Sequence, residues 1–182
     1  MPKEQFLIAM RFLASSVSVV SAKDSSGKLY AMTASSVTSL TIDPPAILVC
    51  VNKGASIHDV LLPGVDLCIN ILSKEQQDIS NLCSSKDSES LRYANDYWNT
   101  DETPFLKDAQ SNIFSQVDEV INYNSHSIVI AKVLAAKSAD SFNGLIYARG
   151  ITNGSVTDSI VTIKDHQFYK LPLQGQSPWI RQ

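Results

Sequence analysis

The sequence predicts a mainly β protein, an antiparallel barrel or sandwich with a few short flanking helices. Three observations carry this expectation. Short apolar or β-branched runs recur along the chain, bounded by Asp, Ser, Gly and Pro. Helical spacing is confined to a few brief segments. There is no regular strand–helix–strand repeat, and neither G-x-G-x-x-G nor G-x-x-x-x-G-K occurs, so dinucleotide folds and P-loops lack their marks.

The elements follow in order. Phe6, Ile8, Ala9, Phe12 and Leu13 lie near helical spacing and predict a short amphipathic helix over 5–13. Val17, Val19 and Val20 read as a strand, and Asp24-Ser25-Ser26-Gly27 supplies the turn after it. A second strand begins near Lys28 and is stopped by Asp43-Pro44-Pro45, because proline cannot donate to a ladder. The apolar run 46–51 is a buried strand, Ser56 suits a helix cap, and 67–72 is another buried strand. Ser73 and Gln76 have capping-box spacing, opening a helix to about Cys83. The polar stretch 84–112 is long enough to be a functional loop or to hold short helices, with Tyr93, Tyr97, Trp98 and Phe105 as anchors. Two long strands, 113–123 and 126–136, are joined near Asn124-Ser125, and 145–148 is a short one. Beyond Gly150 the pattern fades; 156–163 suits a strand, and the tail around Pro178-Trp179-Ile180 suits packing on a partner.

With 182 residues, 44% apolar, the chain suits one globular domain spanning 1–182. A net charge of −3 and pI near 5.5 argue against a general basic field for nucleic acid or anionic lipid, while leaving room for a local anion site. No apolar run approaches the ~18 residues of a membrane span. Cys50, Cys68 and Cys83 form no C-x-x-C, which fits a reduced cytoplasmic protein. His58, His126 and His166 are not spaced with them as a metal set, so no metal centre is expected.

Two segments suit chemistry. Met32-Thr33-Ala34-Ser35-Ser36-Val37-Thr38-Ser39 can present hydroxyls and backbone N–H groups to one phosphate, and Ala34 lets a flat ring approach its backbone. The same pattern fits an edge strand with a solvated hydroxyl face. Cys50-Val51-Asn52-Lys53-Gly54-Ala55-Ser56 runs from a strand through a turn towards a helix start, where N–H groups attract anions. Lys53 can add charge and Ser56 a hydroxyl; alternatively Ser56 is only a cap and Lys53 only solvated. His126 opens a strand, where it suits either a ligand contact or a turn hydrogen bond. Tyr147 and Arg149 close another, and a surface role suits Arg149 equally well. No G-x-S-x-G segment supports a hydrolase.

The ordered series Ala31–Leu40, Asp43-Pro44-Pro45, Ile47-Leu48-Val49-Cys50-Val51, Ala55-Ser56-Ile57-His58-Asp59, Leu67-Cys68-Ile69-Asn70-Ile71-Leu72 and His126-Ser127-Ile128-Val129-Ile130-Ala131-Lys132-Val133 resembles the short flavin reductase-like family, the reductase components of two-component flavin-dependent monooxygenases. The resemblance covers about 5–150; residues 151–182 are an atypical extension. Val37 stands where that family commonly has an aromatic residue, and Ile57 where it has a hydroxylated one. The resemblance implies an antiparallel Greek-key split β-barrel that binds FMN, with FAD as the other candidate flavin, usually as a homodimer. It implies hydride transfer from NADH or NADPH to flavin N5, with reduced flavin passed to an oxygenase. By position it places Thr33 and Ala34 along the ring, Ser35 and Ser36 towards the ribityl chain and phosphate, and Cys50, Val51 and Asn52 beside the ring. It assigns Ser56 and Lys53 to the phosphate, and His126, Tyr147 and Arg149 to the nicotinamide side. The alternative is a non-enzymatic FMN-binding electron carrier on the same barrel. A pyridoxamine-phosphate-oxidase-like activity would need clustered arginines, which Arg11, Arg92, Arg149 and Arg181 do not suggest.

Overall fold

A computed structural model describes residues 2–148 and the backbone of 160–161. Helix α1 is Lys3–Arg11, followed by β1 (Ser15–Ser16), β2 (Ser18–Lys23), β3 (Leu29–Ala34), β4 (Val37–Ile42) and β5 (Pro45–Asn52). After a short 3₁₀ turn come β6 (Asp66–Ile71), α2 (Gln77–Ser84), β7 (Trp98–Asn99) and β8 (Phe105–Leu106). The long strands β9 (Ser111–Tyr123) and β10 (His126–Ser138) follow, then β11 (Ile146–Tyr147) and β12 (Ile160–Val161).

Seven strands form one antiparallel sheet in the order β3-β2-β6-β9-β10-β5-β4. Its two edge strands, β3 and β4, are consecutive in sequence and joined only by Ser35-Ser36. Laid flat, seven strands would separate their edges by roughly 29 Å. A two-residue connection spans at most about 11 Å between flanking Cα atoms. The sheet therefore rolls until its edges face each other, leaving a seam at β3/β4 without a ladder.

The predicted second strand is thus two strands. Ala34 and Val37 belong to opposite edges, and small Ser35-Ser36 carries the chain across the seam. One core fills the roll: Val20 and Ala22 of β2, Leu67 and Ile69 of β6, Val117 of β9, Val129 and Ala131 of β10, and Ile47, Val49 and Val51 of β5. The other face of β2 is also covered. Val17 and Val19 pack with Ala31, Leu72, Ile79, Cys83, Trp98, Leu106 and Leu145. This double cover explains why β2 is an almost unbroken buried run.

The local punctuation follows the residues. Asp24 organises the β2–β3 turn, accepting from Ser26 N at 2.8 Å and Lys28 N at 3.0 Å, while Gly27 takes φ +86°. Asn124 has φ 46° in the two-residue turn between β9 and β10. Ser73 and Gln76 form the reciprocal capping box ahead of α2. Ile79 and Cys83, one turn apart, set α2 onto the sheet.

Some elements differ from expectation. The helix read from Ser56 is only a 3₁₀ turn at His58–Val60, because the chain turns again at Leu62–Gly64. The long polar segment holds a 3₁₀ turn (Glu89–Leu91) and the β7–β8 hairpin. Trp98 and Tyr93 anchor it in contact, with centroids 4.4 Å apart, and Phe105 meets Phe114 edge-on. Tyr97 is exposed instead, since Trp98 occupies the inward position of the short strand. Within the predicted 156–163 strand the structure describes Ile160–Val161, paired with β11; the predicted tail contact lies outside the described residues.

Candidate functional site

A groove runs across the seam, made of three adjoining cavities. The first, about 390 Å³, is lined by Met32, Thr33, Asn52, Gly54, Ala55 and Ser56 on one side and by Cys83, Ser84, Lys86 and Arg92 on the other. The second, about 240 Å³, shares Thr33 and Ser84 with it and adds Ser35, Ser80, Asn81 and Tyr147. The third, about 420 Å³, shares Ser35 and Tyr147 and is walled by Leu7, Met10 and Leu13, with Ser36 also lining it. The size and mixture suit an extended small molecule with a polar end.

The first cavity is built by the turn after β5. Lys53 N donates to Ser125 O at 2.9 Å, tying the turn to the β9–β10 hairpin. Asn52 Oδ1 accepts from Gly54 N at 2.8 Å, and Ala55 N donates to Asn52 O. A Cβ on Gly54 would stand 3.2 Å from Asn52 Oδ1, so a side chain there would press on the residue that shapes the turn. Thr33 donates its hydroxyl to Ser80 O at 2.6 Å, fixing the floor between cavities.

The structure brings Thr33, Asn52 and Ser56 to the first cavity and Ser35 and Tyr147 to the second. The hydroxyls of Ser35, which is exposed, and Ser56, which is half-buried, have no protein partner among the described residues. Ser36 is engaged with β5, donating to Cys50 O at 3.1 Å and accepting from Cys50 N at 3.2 Å, so it also pins the seam. Ala34 is buried at the end of β3, and the Val51 side chain lies in the core, leaving Val51 only its backbone for a ligand. Cys50 is half-buried on β5, and Lys53 is exposed at the turn without lining these cavities. His126 is exposed, stands opposite Asn52 in the β5–β10 ladder and bonds Ser125 Oγ at 2.9 Å through Nδ1. Arg149 lies outside the described residues.

Two neighbouring features were not legible as site features. One is a Ser–His–Asp series: His58 Nδ1 is 2.8 Å from Asp59 Oδ1, His58 Nε2 is 2.9 Å from Ser127 Oγ, and Ser127 bonds Asn122. It has the distances of a hydrolytic triad, but Ser127 is 0% exposed and cannot reach a substrate. It fastens the loop bearing Ser56 to β10. The other is Arg92, 5% exposed, whose signal in sequence was only an arginine between apolar anchors. Cys83, beside it, has its thiol pushed up to about 12 by burial and stays neutral. Among the described residues no three His, Cys, Asp or Glu side chains gather as a metal set.

Comparison with known proteins decides the family. A model described as "Flavin reductase like domain" matches residues 10–154. The chain belongs to the flavin reductase-like family. An FMN reductase (NADH) RutF of Stutzerimonas stutzeri is 33% identical over 147 residues, covering 80% of this chain and 84% of its own. A Haemophilus somnus chain provisionally described as a flavin reductase superposes with TM-score 0.78 at 30% identity, over 90% of this chain and all of its own. BorF, the flavin reductase component of a bacterial two-component tryptophan halogenase, superposes with TM-score 0.76 at 25% identity, over 90% of this chain and 99% of its own. The rolled seven-stranded sheet is thus the flavin reductase-like barrel, and the groove lies across its seam. The residues fit a phosphorylated flavin: hydroxyl and amide donors stand at one end, and small or apolar side chains further along.

Proposed function

We propose that this flavin reductase-like chain is an NADH-dependent FMN reductase whose flavin lies in the seam groove. The observation that carries this reading is the arrangement of the groove, with an anion-suited first cavity continuous with ring-sized space beside Thr33, Ser35 and Tyr147. The flavin reductase-like relatives of known activity support the choice of nicotinamide and flavin. When bound, flavin accepts a hydride at N5 from nicotinamide C4.

The protein's part is positioning. Ser56 meets the phosphate, Ser35 the ribityl chain, and Ala34 with the Cys50–Asn52 backbone lies along the ring. Tyr147 and His126 stand on the nicotinamide side. Stacking two rings at reacting distance supplies an effective concentration that the free reactants lack. The groove is open along one side, which suits a flavin that arrives oxidised and leaves reduced for an oxygenase component. A cytoplasmic homodimer completes the reading: α1 contributes no buried residue of its own and exposes Phe6 and Ile8, with Phe12 exposed just after it, an apolar surface suited to a second copy.

The test is NADH oxidation with FMN, FAD or riboflavin added in turn. Turnover with FMN is expected, and no turnover with any flavin contradicts the reading. Replacing Ser56 by Ala is expected to weaken FMN several-fold more than riboflavin, and replacing Ser35 to weaken both; equal weakening of both flavins by Ser56→Ala contradicts the phosphate assignment.

A further inference from the structure

The third cavity, at the α1 end of the groove, shares Ser35 and Tyr147 with the second and no lining residue with the first. Its lining is apolar on one side, from Leu7, Met10 and Leu13, and hydroxylated on the other, from Ser15, Ser35 and Ser36. Arg11 is the one charged residue that lines it among the described residues. Leu7 and Arg11 are one turn apart on α1, with Met10 beside them, so a single face of the helix looks into the cavity. Arg11 is half-buried, whereas the other residues of α1 are exposed. Its guanidinium nevertheless makes no hydrogen bond and no ion pair among the described residues. The hydroxyl of Ser15 is likewise without a protein partner there. Five N–H donors therefore stand at the cavity in a planar fork whose geometry matches phosphate oxygens.

We propose that Arg11 holds the pyrophosphate of NADH in the third cavity, and so sets the preference of this chain for a dinucleotide over a simple dihydronicotinamide. This rests on the groove being the flavin and NADH site given above, and adds where the charged middle of the dinucleotide lies. Tyr147, on the nicotinamide side, lines both the second and the third cavity, so a donor stacked beside it continues into the third. The pyrophosphate is doubly anionic, and the flavin phosphate is nearly so near neutral pH. Two such groups in one groove repel each other unless they are kept apart and each meets its own donors. The first and third cavities are the two ends of the groove, and a chain of net charge −3 offers anions no general attraction. A local cation is therefore needed at the α1 end. Arg11 supplies it, with the Ser15 hydroxyl beside it as a further donor.

The experiment compares NADH with dihydronicotinamide riboside, a hydride donor without phosphate, on the full chain at saturating FMN. The variants are Arg11→Met and Arg11→Lys. Helix α1 contributes no buried residue, so both are expected to fold, and melting curves check this. Arg11→Met should raise KM for NADH about fivefold, with kcat changed by less than about twofold. It should leave KM for the riboside and the affinity for FMN where they were. Arg11→Lys should fall between, because it keeps the charge and loses the fork. Inorganic pyrophosphate at constant ionic strength should compete with NADH and not with the riboside, and should lose that effect in Arg11→Met. Calorimetric titration of the FMN-loaded chain with NAD+, which cannot donate a hydride, should show the same weakening without turnover. An unchanged KM for NADH, an equal rise for the riboside, no competition by pyrophosphate, or no NAD+ binding by the native chain overturns the assignment. NAD+ binding that depends on Arg11, without NADH oxidation, would instead count against the reductase reading and leave the subsite standing.

Discussion

Cys50, Cys68 and Cys83 share a functional group and differ in environment. Burial pushes the thiols of Cys68 and Cys83 up to about 12, so both stay protonated at pH 8. Cys50 is half-buried on β5, next to the proposed ring position. In the native protein a thiol reagent is expected to label Cys50 first, with the other two reacting only on unfolding, and FMN should slow Cys50. Three equally fast thiols would contradict the burial, and no protection by FMN would contradict the ring placement. Asp24 gives a pH dependence. Its carboxyl is held below the usual range, chiefly by the Ser26 hydroxyl; desolvation opposes this, and the Lys28 and Ser26 N–H groups and Tyr30 assist. A depressed folded value means its contribution is present above the ordinary carboxylate pKa. That contribution fades as pH falls through the lower folded value. Asp24→Asn should therefore lower the melting temperature at pH 7 and have little effect well below pH 3. A melting difference that persists at low pH would contradict this.

At the scale of elements, the buried polar knot under β7–β8 decides whether the segment after α2 stays in place. Asn70 on β6 donates to Val19 O at 2.8 Å and Ser21 Oγ at 2.9 Å, and it accepts from Leu106 N at 2.7 Å and Asn112 Nδ2 at 2.8 Å. Asn70→Ala strands several of these groups and should cost about 3 kcal/mol in urea unfolding. A loss within experimental error would mean the knot is not what holds the hairpin. Much at this scale was legible beforehand: the Asp24–Gly27 turn, the Ser73–Gln76 cap and the long β9–β10 pair follow from local residue chemistry. The Ser35-Ser36 break was not, because Thr, Ser and Val continue smoothly through it. Only the pairing of β3 with β2 and β4 with β5, at opposite sheet edges, separates the strands. Arg92 was equally opaque, since the carbonyls of Leu82, Ala31 and Ser85 that hold its guanidinium converge only in the fold.

For the whole molecule, rolling the sheet is the event that makes a site. It brings Thr33 to one cavity with Asn52 and Ser56, from segments whose suitability for phosphate was readable, although their meeting was not. Removing the apolar surface of α1, through Phe6→Ser with Ile8→Ser, should shift a homodimer towards monomer in sedimentation. An unchanged sedimentation profile would place the subunit contact elsewhere. In the proposed reaction the groove reduces flavin at the expense of NADH. Its most direct test is an anaerobic titration of the purified full chain and added FMN with NADH, following the flavin spectrum. One equivalent of NADH should bleach one equivalent of FMN, at a rate far above that of the protein-free mixture. Bleaching no faster than the protein-free mixture, despite bound FMN, would make the chain a flavin carrier and contradict the account.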